Sequence, residues 1–112
     1  MGVEQVVESY FAAMRARDVA AVTALYAEDA CFILPDGREF NGIEAISAMH
    51  QGVFAASAPV PTAGAMIVAG NAAAVEIEAR LPDGTSRFTT NHFYLNAGGK
   101  IARLNVYIKA AM

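Results

Sequence analysis

The chain has 112 residues, 55% hydrophobic and 17% charged, and its 8 basic and 11 acidic residues give a formal net charge of −3. That length fits one domain over residues 1–112, able to bury roughly two thirds of the surface its unfolded chain would expose. The mild acidity and the lack of any Lys/Arg cluster exclude nucleic-acid and anionic-membrane binding. No uninterrupted apolar run approaches about 18 residues, so no membrane span is expected. The start MGVEQVVESYF has no basic segment ahead of an apolar core, so no export signal is expected and a cytoplasmic setting is. So apolar a composition with so few charges also implies apolar surface in a pocket or subunit interface.

Val3, Val6, Val7, Tyr10, Phe11 and Met14 recur at three- and four-residue steps, with Glu4, Glu8, Arg15 and Arg17 on the other side. This spacing predicts an amphipathic helix. Asp18 is placed to cap a second, shorter helix whose inner face is Val19, Val22, Leu25 and Tyr26. The stretch from Leu25 to Ile46 then joins helix to sheet. It holds an apolar strand Ala30–Leu34, a Pro35-Asp36-Gly37 turn, a short edge piece at Glu39-Phe40, and Asn41-Gly42 opening a third helix. Cys31 lies inside that strand and reads as a small buried hydrophobe rather than a nucleophile. Ile43, Ile46, Met49, His50, Val53 and Phe54 give the third helix its apolar stripe, which ends in the Ala/Ser/Pro-rich stretch Ala55–Pro61. His50 is the odd member of that stripe.

From Pro61 the period becomes two. Thr62–Ala69 reads as a moderate strand. Asn71–Leu81 alternates with Val75, Ile77, Ala79 and Leu81 on one face, and Pro82-Asp83-Gly84 marks a turn. Arg87–Asn96 and Lys100–Lys109 flank Ala97-Gly98-Gly99 as a long hairpin. Its first arm puts Thr89, Asn91, Phe93 and Leu95 on one face and Phe88, Thr90, His92 and Tyr94 on the other. Its second arm puts Ala102, Leu104, Val106 and Ile108 on the apolar face, opposite Arg103, Asn105, Tyr107 and Lys109. These elements predict an α+β domain in which a curved, mostly antiparallel sheet of about four to six strands wraps around three N-terminal helices. The mixed aromatic and polar outer face, with His92, Tyr94, Asn105 and Tyr107, predicts a homodimer formed through that face.

Four local patterns then carry a resemblance. They are Arg17-Asp18-Val19 at the second helix, Leu25-Tyr26-Ala27-Glu28-Asp29-Ala30 entering the sheet, Phe40-Asn41-Gly42-Ile43 at the third helix, and Gly98-Gly99-Lys100-Ile101 in the final hairpin. With the order of elements they make the whole chain resemble the SnoaL-like and ketosteroid isomerase-like superfamily. That superfamily has a cone-shaped, cystatin-like α+β fold, mixed in its sheet, shared with nuclear transport factor 2-like proteins, scytalone dehydratase and limonene epoxide hydrolase.

The resemblance implies an apolar pocket between the helices and the inner sheet face. It places Tyr10 where the isomerase has its oxyanion-hole tyrosine and Asn91 where a protonated aspartic acid gives the second hydrogen bond. The isomerase has a catalytic carboxylate at the end of the first strand, where this chain has Leu34. Met49 replaces a tyrosine of its hydrogen-bond network, and Tyr26 matches another member. A typical steroid isomerase is therefore disfavoured, and the Asp-Arg-Asp set of the epoxide hydrolases has no match.

Enolisation needs donors aimed at the developing oxyanion and a base near the carbon acid. A phenol and an amide both donate, so Tyr10 and Asn91 are the candidate donors, and His50 is the one titratable base placed on an inner face. Met14, Tyr26, Leu34, Met49, Phe93, Leu104, Val106 and Ile108 are the expected ligand-binding wall. The two histidines have no metal-ligand spacing, so no metal is expected. No glycine-rich loop precedes a helix, so no nucleotide cofactor is expected either. Neither Ser47 nor Ser57 has a nucleophile-elbow context.

The function expected is a cofactor-independent isomerase, lyase or cyclase acting on a small apolar carbonyl compound. The alternative is a non-catalytic small-molecule-binding or dimerisation module of the same fold, with Leu34 where a catalytic aspartate would stand.

Overall fold

A computed structural model describes residues 2–56 and 61–109. Ser57 and the middle of the Ala/Ser/Pro-rich stretch lie outside the described residues. Among the described residues three helices, α1 (Val3–Ala16), α2 (Val19–Thr23) and α3 (Ile43–Ala55), pack against a six-stranded sheet. The strands are β1 (Tyr26–Ile33), β2 (Glu39–Asn41), β3 (Pro61–Ala69), β4 (Ala72–Arg80), β5 (Ser86–Leu95) and β6 (Ile101–Ile108), in spatial order β2-β1-β6-β5-β4-β3. All neighbours are antiparallel except β1 and β6, which makes the sheet mixed. The fold is α+β, as the alternation of periods predicts.

The periodic faces translate directly into burial. Along α1, Val3, Val6, Val7, Tyr10, Phe11 and Ala13 are buried, because a 3.6-residue turn stacks these positions on one side. Asp18 caps α2 by accepting a hydrogen bond from the Ala21 N–H at 3.0 Å, which satisfies a donor the first turn leaves open. In β5 the parity holds residue by residue. Asn91, Phe93 and Leu95 are buried and face the helices, while Phe88 is 47% exposed on the other side. The two Pro-Asp-Gly turns place Gly37 at φ 91° and Gly84 at φ 89°, a region open to glycine without a steric penalty. Between β5 and β6 the Asn96 carboxamide oxygen accepts from the Gly98 and Lys100 N–H groups, each at 3.0 Å, and so closes the hairpin.

Four expectations are corrected. Tyr26 is not helical. The chain leaves α2 at Ala24, whose carbonyl accepts from the Lys100 ammonium at 2.8 Å, and the Leu25 carbonyl accepts from the Ile101 N–H at 2.9 Å. This pairing with a distant strand starts β1 at Tyr26 rather than Ala30.

Cys31 is half-buried on the outer face, since Ala30 and Phe32 take the inner positions beside it; its thiol donates to the Glu39 carboxylate at 3.2 Å. In β6 a bulge pairs Leu95 with Ile101 and Tyr94 with Arg103. The extra residue at Ala102 sends Ile101, not Ala102, into the core. Ile108, at the far end of β6, is 56% exposed although it shares the parity of Val106, because the helical layer does not cover that end of the strand.

Candidate functional site

The site forms where α1 and α3 face the inner side of β5. Tyr10 enters from α1, His50 from α3, Tyr26 from the start of β1 and Asn91 from the middle of β5. The Tyr10 ring is fixed by edge contacts with Phe11 and Phe93, both at 5.2 Å between centroids. His50 is 1% exposed and is ringed by Phe32, Phe54, Tyr10 and Tyr26. Asn91 is 6% exposed and sits between Val75 on β4 and Val106 on β6. Its side-chain amide makes no hydrogen bond with the described residues and lines the cavity.

One polar chain runs behind this wall. The Tyr26 hydroxyl and His50 Nε2 are 3.1 Å apart in a buried hydrogen bond. Nδ1 of His50 is buried with no partner among the described residues. Burial lowers the pKa of His50 to about 4, because an imidazolium is poorly solvated among aromatic rings. His50 is therefore neutral at pH 7. Burial also raises both phenols above their ordinary value, and for Tyr10 the hydrogen bond with Tyr26 partly offsets that rise. Neither tyrosine ionises near neutrality.

In front of the chain lies a cavity of about 230 Å³. Of the expected wall, Met14, Leu34, Met49 and Val106 line it, together with Tyr10, His50 and Asn91. Tyr26, Phe93 and Leu104 do not. They lie deeper, at 3%, 0% and 0% exposure, as packed core that supports the wall. Ile108 lies outside it on the open end of β6. Sequence reasoning missed Phe11, Phe32, Val53, Pro61, Ile77, Ala79 and Thr89 as lining residues. The alternation that turns Asn91 inward also turns Thr89 inward, so that residue was findable; Phe32 follows once β1 is known to begin at Tyr26.

No carboxylate or other charged side chain is among the lining residues. The wall is apolar apart from a phenol, an imidazole, an amide and a threonine hydroxyl, which suits an uncharged ligand held by one or two hydrogen bonds. The volume falls below the roughly 300–1,000 Å³ common for drug-sized ligands. No group of three His, Cys, Asp or Glu side chains among the described residues is arranged to hold a metal ion. No helix among them is long and apolar enough to cross a membrane.

Among solved structures, the chain is similar to a protein with a cystatin-like fold from Methylobium petroleophilum, with 18% identity, a TM-score of 0.82, and coverage of 98% of this chain and 77% of that one. It is similar to a candidate polyketide cyclase from Sinorhizobium meliloti, with 28% identity, a TM-score of 0.78, and coverage of 91% and 93%. It is also similar to a candidate ketosteroid isomerase from Kribbella flavida, with 20% identity, a TM-score of 0.84, and coverage of 98% and 79%. No curated protein matches the sequence closely enough to lend it an activity. Residues 7–104 match the SnoaL-like domain, and with nearly the whole chain inside that match, it belongs to the SnoaL-like domain family.

Proposed function

We propose that this chain is a cofactor-independent isomerase, lyase or cyclase acting on a small, uncharged carbonyl compound. The observation that carries the reading is the convergence of Tyr10 and Asn91, one from α1 and one from β5, on one apolar cavity whose walls hold no charge. A carbonyl oxygen seated there meets a phenol O–H and an amide N–H in a site of low dielectric, where such donors stabilise a developing oxyanion best. The α-carbon loses its proton, its bonding pair moves to form the enol double bond, and the carbonyl pair moves to the oxygen held by Tyr10 and Asn91. His50, unprotonated at pH 7, takes up the proton directly or through a bound water. The cyclase and isomerase descriptions of the two solved relatives agree with chemistry of this class.

One observation favours a second reading, a non-catalytic binder. Leu34 lines the cavity at the position where the isomerase pattern has its carboxylate, and leucine moves no proton. Incubating the protein with cyclohexanone in deuterated water and following the α-proton signals by NMR separates the two. The enzyme reading predicts protein-dependent loss of those signals, slowed about 10²-fold or more in Tyr10→Phe. Saturable binding with no exchange leaves the binder.

The proposal includes a homodimer through the outer sheet face. Supporting it, Phe88 and Tyr107 are each 47% exposed there, and Ile67 on β3 is 73% exposed. Sedimentation at micromolar concentration tests it: a dimer is expected, and a monomer removes this part of the proposal.

A further inference from the structure

The cavity has a closed end and a mouth, and their polar groups differ. Tyr10, Phe11, Phe32, His50, Ile77 and Asn91 form the closed end, each at 6% exposure or less. The other lining residues are only half-buried and form the mouth, and all of them are apolar except Thr89. Thr89 stands on β5 two positions before Asn91, so strand parity turns both side chains into the cavity. Asn91 pairs with Val75 and Val106, at the covered middle of the sheet. Thr89 pairs with Ile77 and with Ile108, and Ile108 is 56% exposed, which puts Thr89 at the open end. Two residues along a strand separate the two side chains by about 6–7 Å.

The Thr89 hydroxyl makes no hydrogen bond with the described residues. A half-buried hydroxyl in that state is left for water or a ligand. We propose that Thr89 is a second polar subsite of this cavity, and that the ligand carries two uncharged oxygens, one held at the closed end by Tyr10 and Asn91 and one at the mouth by Thr89. The inference rests on the proposed function, because the first of these oxygens is the carbonyl of that reading. A threonine hydroxyl both donates and accepts, so the second oxygen is a hydroxyl or another carbonyl. A carboxylate does not fit, since no cationic side chain lines the cavity. The spacing selects a molecule with its oxygens at opposite ends, such as a six-membered ring bearing them at opposite corners. Adjacent oxygens cannot reach both subsites. Between the subsites the walls are apolar, with Met14 on α1 and Met49 on α3 facing Ile77 and Val106 of the sheet.

The test compares two ketones of one shape, 4-hydroxycyclohexanone and 4-methylcyclohexanone, which differ in whether the far corner carries an oxygen. Their dissociation constants are measured by NMR titration of the parent, Thr89→Val, Thr89→Ala and Thr89→Ser, and the ratio of the two is taken within each protein. A ratio cancels any general change in cavity shape or stability that a substitution brings. The preference for the hydroxy ketone over the methyl ketone should fall about tenfold in Thr89→Val and in Thr89→Ala, the usual effect of leaving one hydroxyl without its partner. Thr89→Ser restores the hydroxyl and should stay within about threefold of the parent ratio.

A ratio unchanged in Thr89→Val and Thr89→Ala overturns the subsite, and Thr89 is then a strand-forming residue with a hydrated hydroxyl. If the parent still binds the methyl ketone in that case, the proposed function survives and only this inference falls. Binding of neither ketone by the parent overturns both.

Discussion

Acidification from pH 7 to pH 4 should cost this fold a measurable share of its stability through His50 alone. The imidazole is 1% exposed and its pKa is lowered by burial from 6.5 to about 4. In the unfolded chain it titrates near its ordinary value, so between pH 6.5 and pH 4 the unfolded state binds more protons than the native state. Stability therefore falls as pH falls through that window, and the contribution is fully present only above about pH 6.5. At about 1.36 kcal/mol per pKa unit, a shift of this size corresponds to roughly 3 kcal/mol, a large part of the 5–15 kcal/mol typical of a domain.

Urea denaturation of the parent and His50→Gln at pH 7, 5.5 and 4 isolates the effect. Carboxylates such as Asp36 and Asp83, whose pKa values are also lowered, lose their contribution at lower pH in both proteins and cancel in the difference. The parent should lose roughly 3 kcal/mol more than the variant between pH 7 and pH 4. Parallel pH profiles would refute the reasoning and place a solvated or protonated histidine at this position.

Two further perturbations probe the same core. Phe93 is fully buried and holds the Tyr10 and Phe11 rings at 5.2 and 6.2 Å, so Phe93→Ala should cost about 3–5 kcal/mol; a lowered urea midpoint with unchanged slope checks it, and a loss under about 1 kcal/mol would contradict the packing. Leu34→Asp puts a carboxylate into the cavity wall beside the proposed donors. It should raise cyclohexanone α-proton exchange by about 10²-fold or more, the usual yield of a positioned general base, and an exchange rate equal to the parent's in a folded, ligand-binding variant would contradict the proposed orientation of the site.

Much of the site was legible because its elements are strongly periodic. A helical repeat turned Tyr10 and His50 inward, and strict alternation turned Asn91 inward while sending His92 to the outer face. What the sequence hid depends on pairing between distant segments. Tyr26 continues the spacing of Val19 and Val22, so a local reading keeps it in the helix; its strand partner on β6 is visible only once the sheet has formed. The Tyr26–His50 hydrogen bond, between residues 24 positions apart, was hidden for the same reason.

A one-residue bulge likewise shifts Ile101 into the core without any local signal in the period. Ile108 keeps the inward parity but loses its cover, since parity names a face and says nothing of how far the helices extend over it. Met14, Leu34, Met49 and Val106, the middle of the expected wall, line the cavity, while other residues form its depth and its rim.

The central claim is that Tyr10 and Asn91 together recognise a ligand oxygen. A cyclohexanone titration of the ¹⁵N-labelled parent, Tyr10→Phe and Asn91→Leu, followed by backbone amide shifts, tests it most directly. Binding by the parent, with shifts centred on the cavity residues and an affinity about tenfold weaker in each folded variant, is the predicted result. No binding by the parent, or equal affinity in all three proteins, would contradict it.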